Sequence, residues 1–448
     1  MKNNLRAISL GILDQWEKSK APIDHILDRH LREKPFLTDP RDRRLVMALV
    51  FGVIRWRRYL DQVLAEHSSH PLARMKTLTL LTLRLGLYQL LFMNRVPSAA
   101  AVNETVEAFK AARQPKWLVG FVNGLLRSLA RLPALPSPEE ATMPPAVRCS
   151  HPDWLFDRWL RRYGPHDAEK ICRGNNRPAP LCLRVNTVSI PVRGYLEMLE
   201  ENRIKAEPGL FAPEAVLLAD PVSVPELPGY DQGYFQVQDE AAQLVSCLLS
   251  PLREGTMYLD ACAGLGGKTS HLAQMLPAGS RIVAVEPDKG RSDLLAANLA
   301  RLGLAGQVAI VRDALQSLRQ THPGRFAGAL VDAPCSGLGV IRRHPDIRWN
   351  RSESDLGRYQ EIQLDLLDET AGLLAPEGIL VYATCSMEPE ENDQVVHKFL
   401  AAHPDFSMET VSGHLPAAAA TLADGTFFRV TANLRGLDGF FAARMRKK

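Results

Sequence analysis

Apolar residues recur at helical spacing through the first part of the chain. The pattern runs through "LRAISLGILDQW" (5–16), "RRLVMALVFGVIRWRRYLDQVL" (43–64) and "AVNETVEAFKAA" (101–112), with few period-two alternations, and predicts helices. Thr38-Asp39-Pro40 supplies a cap and a first-turn proline for the second of these. The most apolar stretch, "LTLLTLRLGLYQLLF" (78–92), is short for a membrane span and holds Arg84, which predicts a buried amphipathic helix. Five prolines between 133 and 145 then mark a linker.

The period changes after the linker. "HPDWLFDRWLRRYG" (151–164) predicts a short helix ending at Gly164, "LCLRVNT" (181–187) a strand, and "VRGYLEMLEENRI" (192–204) a further helix. From 236 onward, strand-like runs alternate with helical ones. The strands are "MYLDA" (257–261), "RIVAVE" (281–286), "VAIVRD" (308–313), "GALVDA" (328–333) and "GILVYAT" (378–384). That alternation predicts a doubly wound α/β sheet with helices on both faces. "TFFRV" (426–430) and "GFFAARM" (439–445) add an expected antiparallel pair at one edge. The expected division is a helical domain over 1–132, a Pro-rich linker over 133–150, a small α/β module over 151–235 and an α/β domain over 236–448.

Charge sharpens this picture. Residues 1–132 carry 22 Lys+Arg against 11 Asp+Glu, a local charge of +11, which leaves −7 for the rest of a chain whose net charge is +4. A basic helical lobe points to a polyanionic partner. The seven cysteines have no CxxC pairing and no matching histidine spacing, so free thiols in a reducing cytoplasm are expected, with no disulfide framework and no metal site. The N-terminus lacks the apolar core of a signal peptide.

Ligands of an open parallel sheet bind outside the carboxyl ends of its strands, so the residue that ends each strand is informative. The first ends in "DACAGLGGKT", a turn in which Gly264, Gly266 and Gly267 allow close backbone approach and the next helix offers N–H donors. The second ends in Glu286, placed to accept from ribose hydroxyls, and the third in Asp313, available to an adenine amino group. Together these describe a nucleoside-binding crevice. The fourth ends in Asp332 and Cys335, the fifth in Cys385, so both thiols are expected to face that crevice. Cys149, Cys172, Cys182 and Cys247 have no such setting and read as structural.

"DACAGLGGKTSHL", "DAPCSGLGVIRRHPDIRW" and "YATCSMEPEEN" strongly resemble the S-adenosylmethionine-dependent RNA cytosine-5 methyltransferases. "GYFQVQDEAAQLVS" (233–246) is similar to the segment leading into their catalytic domain, and the basic helical region resembles a NusB-type RNA-binding domain. The combination points to the RsmB type, which methylates a cytosine of 16S ribosomal RNA. The resemblance implies an all-α NusB-like domain, a small α/β RNA-binding module and a Rossmann-like methyltransferase domain. It implies S-adenosylmethionine held by Cys262, Ala263, Gly264, Leu265, Gly266, Gly267, Lys268, Glu286, Asp313 and Asp332. One position departs from the pattern: Leu265 stands where the family commonly has proline, which loosens the turn.

Carbon 5 of cytosine is a weak nucleophile until a thiolate adds to carbon 6, so the reaction needs a thiol, an acid near ring N3 and a group that assists release. The residues alone leave the two cysteines interchangeable. The resemblance assigns Cys385 as nucleophile, Cys335 as the release thiol and Asp332 as the acid against the base. The target base is expected unpaired or flipped, and "IRRHPDIRWNR" (341–351), with four arginines and Trp349, to grip RNA near the site. An NAD-linked oxidoreductase is disfavoured because Thr269 occupies the third glycine position of the dinucleotide fingerprint. A transfer RNA cytosine-5 methyltransferase and a non-catalytic antitermination-type RNA-binding factor are the remaining alternatives. The expected protein is a cytoplasmic monomer whose partner is 16S ribosomal RNA, with no membrane association.

Overall fold

The computed structural model describes residues 4–33, 39–139, 142–220, 222–432 and 436–448. They form two compact units, one of residues 1–177 with 341–352 and one of 178–340 with 353–448.

The first unit is helical, as the 3.6-residue period requires. Asn4 caps helix Leu5–Ser19 by accepting from Arg6 N at 2.9 Å and Ala7 N at 3.3 Å. Asp39 caps Pro40–Arg55 by accepting from Arg41 N at 2.8 Å; the expected cap residue Thr38 lies outside the described residues. Helix Thr77–Phe92 differs from expectation. It is not amphipathic: Leu81 and Leu85 enter a core around Trp16, Leu49 and Ile54, whereas Leu83 and Leu87 enter another around Tyr59, Phe109 and Leu126. A helix walled by core on both sides is apolar all round. Its Arg84 is accommodated by a bidentate pair with Asp61, both bonds 2.7 Å. The helix predicted to stop at Gly164 does so, at φ 76 and ψ 171, and Pro165 opens a second stretch that runs to Asn175.

Residues 341–352 belong to this helical unit, although they follow the fourth strand of the large sheet in sequence. Arg348 is fully buried there, donating to Ser150 O at 3.1 Å, Asn176 Oδ1 at 2.8 Å and Asn175 O at 3.2 Å. Trp349 Nε1 donates to Ile54 O at 2.8 Å, and Arg55 donates to Arg342 O at 3.0 Å. The structure thereby corrects the expected RNA-gripping loop. Its central arginine and tryptophan are spent on backbone carbonyls, which a sequence cannot announce because those carbonyls are about 170 to 300 residues away.

The second unit holds two sheets. Strands β1 (Leu181–Val185), β2 (Ala206–Pro208), β3 (Ala215–Leu218) and β4 (Phe235–Val237) form a small antiparallel sheet in the order β2-β3-β1-β4. Helix Val192–Glu201 closes its core with Tyr195 and Leu199. The large sheet comprises β5 (Met257–Asp260), β6 (Arg281–Val285), β7 (Val308–Val311), β8 (Phe326–Asp332), β9 (Leu374–Thr384), β10 (Phe406–Glu409), β11 (Phe428–Val430) and β12 (Phe440–Lys447). Its order is β10-β12-β9-β8-β5-β6-β7, with β11 paired to β12. Strands β5 to β9 are mutually parallel, and β12 runs antiparallel to β9 and β10.

The doubly wound expectation holds, and each of the five predicted parallel strands is present. Strand β9 shows why its apolar run is continuous: Ile379, Val381 and Ala383 face one core, Leu380 and Tyr382 the other. The late antiparallel pair also forms, as β11 and β12. The edge beyond β12 is β10, too short and too weakly alternating to be read from sequence. The chain leaves β5 toward β6 on one side and β8 lies on the other, which sets the topological switch point at β5.

Candidate active site

The turn after β5 is built on a buried aspartate that the sequence pattern does not single out. Asp260 is 1% exposed; its Oδ2 accepts from Thr269 Oγ1 at 2.6 Å and its Oδ1 from Cys262 N at 3.3 Å. Burial pushes its carboxyl up to about 6. Ala263 N donates to Val285 O at 3.0 Å, which ties the turn to β6. Gly264 (φ 55) and Gly266 (φ 86) both adopt left-handed conformations, and a Cβ on Gly266 would approach Leu295 Cδ1 to 2.4 Å. Leu265, between them, is 53% exposed. Gly267 then opens helix Gly267–Met275.

That helix start is held by a second unforeseen residue. Arg184, from β1 and fully buried, donates to Gly267 O at 2.6 Å, Ser270 Oγ at 2.7 Å and Gln274 Oε1 at 3.0 Å, and also bonds Gln238 Oε1. Burial lowers its pKa to about 9. The small sheet thus supplies a rigid post under the glycine-rich turn.

Lys268 Nζ meets Asp332 Oδ2 at 2.6 Å, joining the helix after β5 to the end of β8, and lies 5.1 Å from the centroid of the Phe440 ring. Glu286, 3% exposed at the end of β6, accepts from Asp288 N at 2.9 Å and pairs with Arg291 at 3.1 Å, both through Oε1. Asp313 is exposed two residues beyond β7 and accepts from Ala314 N at 2.7 Å. Cys262 is half-buried, and burial followed by the Asp260 charge pushes its thiol up.

The two strand-end cysteines meet. Cys335 Sγ lies 3.3 Å from Cys385 Sγ, and both are free thiols. The bond to Cys385, and then burial, push the Cys335 thiol well above its usual range. Gly339 N donates to Cys385 O at 2.9 Å, and a Cβ on Gly339 would stand 2.3 Å from Gly439 O, so only glycine lets these turns close together. Beneath them Glu391, fully buried, bonds Ser336 and Ser386, the residues after each cysteine. Both cysteines are followed by serine in the sequence, but nothing there marks which glutamate of "EPEEN" is buried against them. Of the other cysteines, Cys149, Cys172 and Cys182 are buried; burial pushes Cys149 to about 11 and the half-buried Cys247 to about 12.

A doubly wound sheet with a glycine-rich turn, a strand-two acid and two adjoining thiols at strands four and five fits a methyltransferase of the nucleoside-cofactor class. Comparison with known proteins carries this further. Residues 246–446 match the 16S rRNA methyltransferase RsmB/F family, 3–131 the NusB family, and 151–225 the RsmF/B-like methyltransferase ferredoxin-like domain. The probable ribosomal RNA small subunit methyltransferase B of Bacillus subtilis is 35% identical over 451 residues, covering 100% of this chain and 99% of that one. Ribosomal RNA small subunit methyltransferase B of Pseudomonas syringae is 37% identical over 412 residues, covering 91% and 90%. The crystal structure of PH0851 is similar over 99% of this chain and 98% of that chain, at 23% identity and a TM-score of 0.81, a likeness of fold. The chain belongs to the 16S rRNA methyltransferase RsmB/F family, with an N-terminal NusB-family region.

The turn suits a nucleoside cofactor. A Cβ on Gly264 would meet nothing within 4 Å, and one on Gly267 only Gln238 Nε2 at 4.0 Å, so the backbone faces open space that a side chain would fill. Among the described residues no cluster of His, Cys, Asp or Glu could hold a metal, and no helix is long and apolar enough to cross a membrane.

Proposed function

We propose that this 16S ribosomal RNA methyltransferase acts on carbon 5 of a cytosine through a covalent bond between Cys385 and carbon 6. The observation that carries the reading is the pair of free thiols 3.3 Å apart at the ends of β8 and β9. A pure RNA-binding factor has no use for such a pair. The donor-binding group comprises Cys262 through Lys268 with Glu286, Asp313 and Asp332: Glu286 takes the ribose hydroxyls and Asp313 the adenine amino group. S-adenosylmethionine, when bound, supplies the methyl group that carbon 5 accepts.

The Cys385 thiolate adds to carbon 6, which makes carbon 5 enamine-like and nucleophilic. Asp332 is assigned a place against ring N3, beside the Lys268 ammonium that its Oδ2 meets at 2.6 Å. After methylation the carbon-5 proton passes to Cys335 acting as base, its electron pair restores the carbon 5–carbon 6 double bond, and the carbon–sulfur bond breaks with Cys385 leaving as thiolate. Both thiols are half-buried and the serine after each is buried, which supports a site that sheds water around the adduct.

The helical region 1–132 is assigned to RNA binding through its charge of +11, the segment 133–150 to a linker, and 151–235 and 236–448 to the accessory module and the catalytic domain. The working state is a cytoplasmic monomer. Radiolabelled cofactor and a denaturing gel test the chemistry. Cys335→Ala should accumulate a slow-migrating labelled protein–RNA band, because its first steps survive, and Cys385→Ala should give none. The opposite pattern exchanges the roles of the two cysteines, and no band in either variant removes the covalent mechanism.

A further inference from the structure

One buried carboxylate touches both cysteine-bearing turns. We propose that Glu391 is a positioning residue which sets the spacing of the two thiols through the serine that follows each of them. The proposal rests on the reading of Cys385 and Cys335 given above.

Ser336 N donates to Glu391 Oε1 at 2.7 Å, and Ser336 Oγ donates to Oε2 at 2.5 Å. Ser386 Oγ donates to the same Oε2, and the two serine hydroxyl oxygens stand 3.2 Å apart. Gln363 Nε2 donates to Oε1 at 3.3 Å and to Pro334 O at 3.0 Å, bracing the residue just before Cys335. Four donors therefore converge on one fully buried carboxylate. The chain around Glu391 is itself anchored to the second turn: Tyr382 Oη donates to Glu391 O at 2.5 Å, and Asn392 Nδ2 donates to Ser386 O at 3.1 Å.

The chemistry demands an acceptor at this point. Ser336 N and Gln363 Nε2 can only donate, and the two serine hydroxyls, whose oxygens already accept from Leu338 N and Glu388 N, give their protons to this carboxylate, so an amide in its place would compete for those oxygens and withdraw the acceptor of two hydroxyl protons. A buried charge is tolerated only when hydrogen-bonded on every side, and a surface acid needs no such cage. Neither serine reaches the reacting base through this contact. What the carboxylate does is lock the residue next to each sulfur, so the 3.3 Å spacing of the thiols is inherited from it.

Full-length Glu391→Gln, Glu391→Asp, Ser336→Ala and Ser386→Ala, with Cys335→Ala as blank, test this. Thiol spacing is read by cross-linking with dibromobimane, which bridges two nearby sulfurs, and by mass spectrometry of the Cys335 and Cys385 peptides. Glu391→Gln should slow both cross-linking and methyl transfer at saturating substrates by about tenfold or more, since a misplacement of about 1 Å costs up to about 100-fold. Its affinity for S-adenosylmethionine and its KM for RNA should stay within about twofold, and Glu391→Asp should recover part of both losses. If Glu391→Gln does not fold, the serine variants carry the test, and each should slow cross-linking. Unchanged cross-linking in folded Glu391→Gln, or in both serine variants, overturns the proposal. Cross-linking is independent of the adduct gel, so an absent adduct would sink the covalent mechanism and leave the positioning result standing.

Discussion

Asp260→Asn is the sharpest probe of how the cofactor turn is built. The substitution keeps the shape of the side chain: its oxygen still accepts from Cys262 N, and its amide meets a Thr269 hydroxyl able to accept as well as donate. What it removes is ionisation. The carboxyl titrates at about 6 in the fold against 3.8 for an unperturbed aspartate, because burial opposes its charge. Between those two values the folded chain holds a proton that the unfolded chain has lost. The group's contribution is therefore fully present below about pH 4 and is lost as pH rises through about 6. At about 1.4 kcal/mol per pH unit, the shift of about two units amounts to about 3 kcal/mol. Between about pH 4 and about pH 7.5 the stability of Asp260→Asn relative to the parent should rise by about that amount. All six tryptophans lie in the helical unit, so the readout must be local: amide exchange of β5 and β6, measured across that range for both proteins. A stability difference that stays flat with pH would refute the argument.

Glu286→Ala should weaken S-adenosylmethionine binding by about 1–3 kcal/mol, the loss of a charged hydrogen-bond acceptor, and unchanged affinity by calorimetry would remove Glu286 from the site. Arg348→Leu removes the bonds to Ser150 O, Asn175 O and Asn176 Oδ1. Each lost hydrogen bond to the buried guanidinium costs about 1–3 kcal/mol, relief of the buried charge offsets part, and a net loss of about 2–4 kcal/mol is expected. Tryptophan fluorescence in urea reads this directly, and an unshifted midpoint would contradict it. Lys116→Glu with Arg127→Glu, both exposed, should weaken RNA binding and flatten its salt dependence, by about one unit of slope for each phosphate no longer neutralised, with cofactor affinity unchanged. An unaltered salt slope would place RNA on another face.

The strand ends were legible because a parallel strand buried on both faces reads as an apolar run, and the first polar residue after it marks the carboxyl end. Glu286, Asp332, Cys335 and Cys385 were found that way. What escaped were polar residues whose partners are remote. Arg184 and Arg348 look like surface or RNA-binding arginines in sequence, yet both are fully buried and bonded to groups far along the chain. Glu391 sits in an acidic run that reads as solvated, and its burial follows from two serines 55 and 5 residues away. Asp260 was hidden for the opposite reason: its partners are local, but the sequence does not reveal that the turn closes over it.

The inserted segment 341–352 bears on how the protein is made. A chain emerging from the ribosome completes its helices up to residue 177 long before Arg348 and Trp349 exist. At about 5–20 residues per second, the about 175 residues still to come occupy about 10–35 s. Throughout that interval the bonds from Arg348 to Ser150 O and Asn175 O and from Trp349 to Ile54 O are still to be made. The amino-terminal helical unit is therefore the first part to be synthesised, yet its last contacts arrive only with residues 341–352.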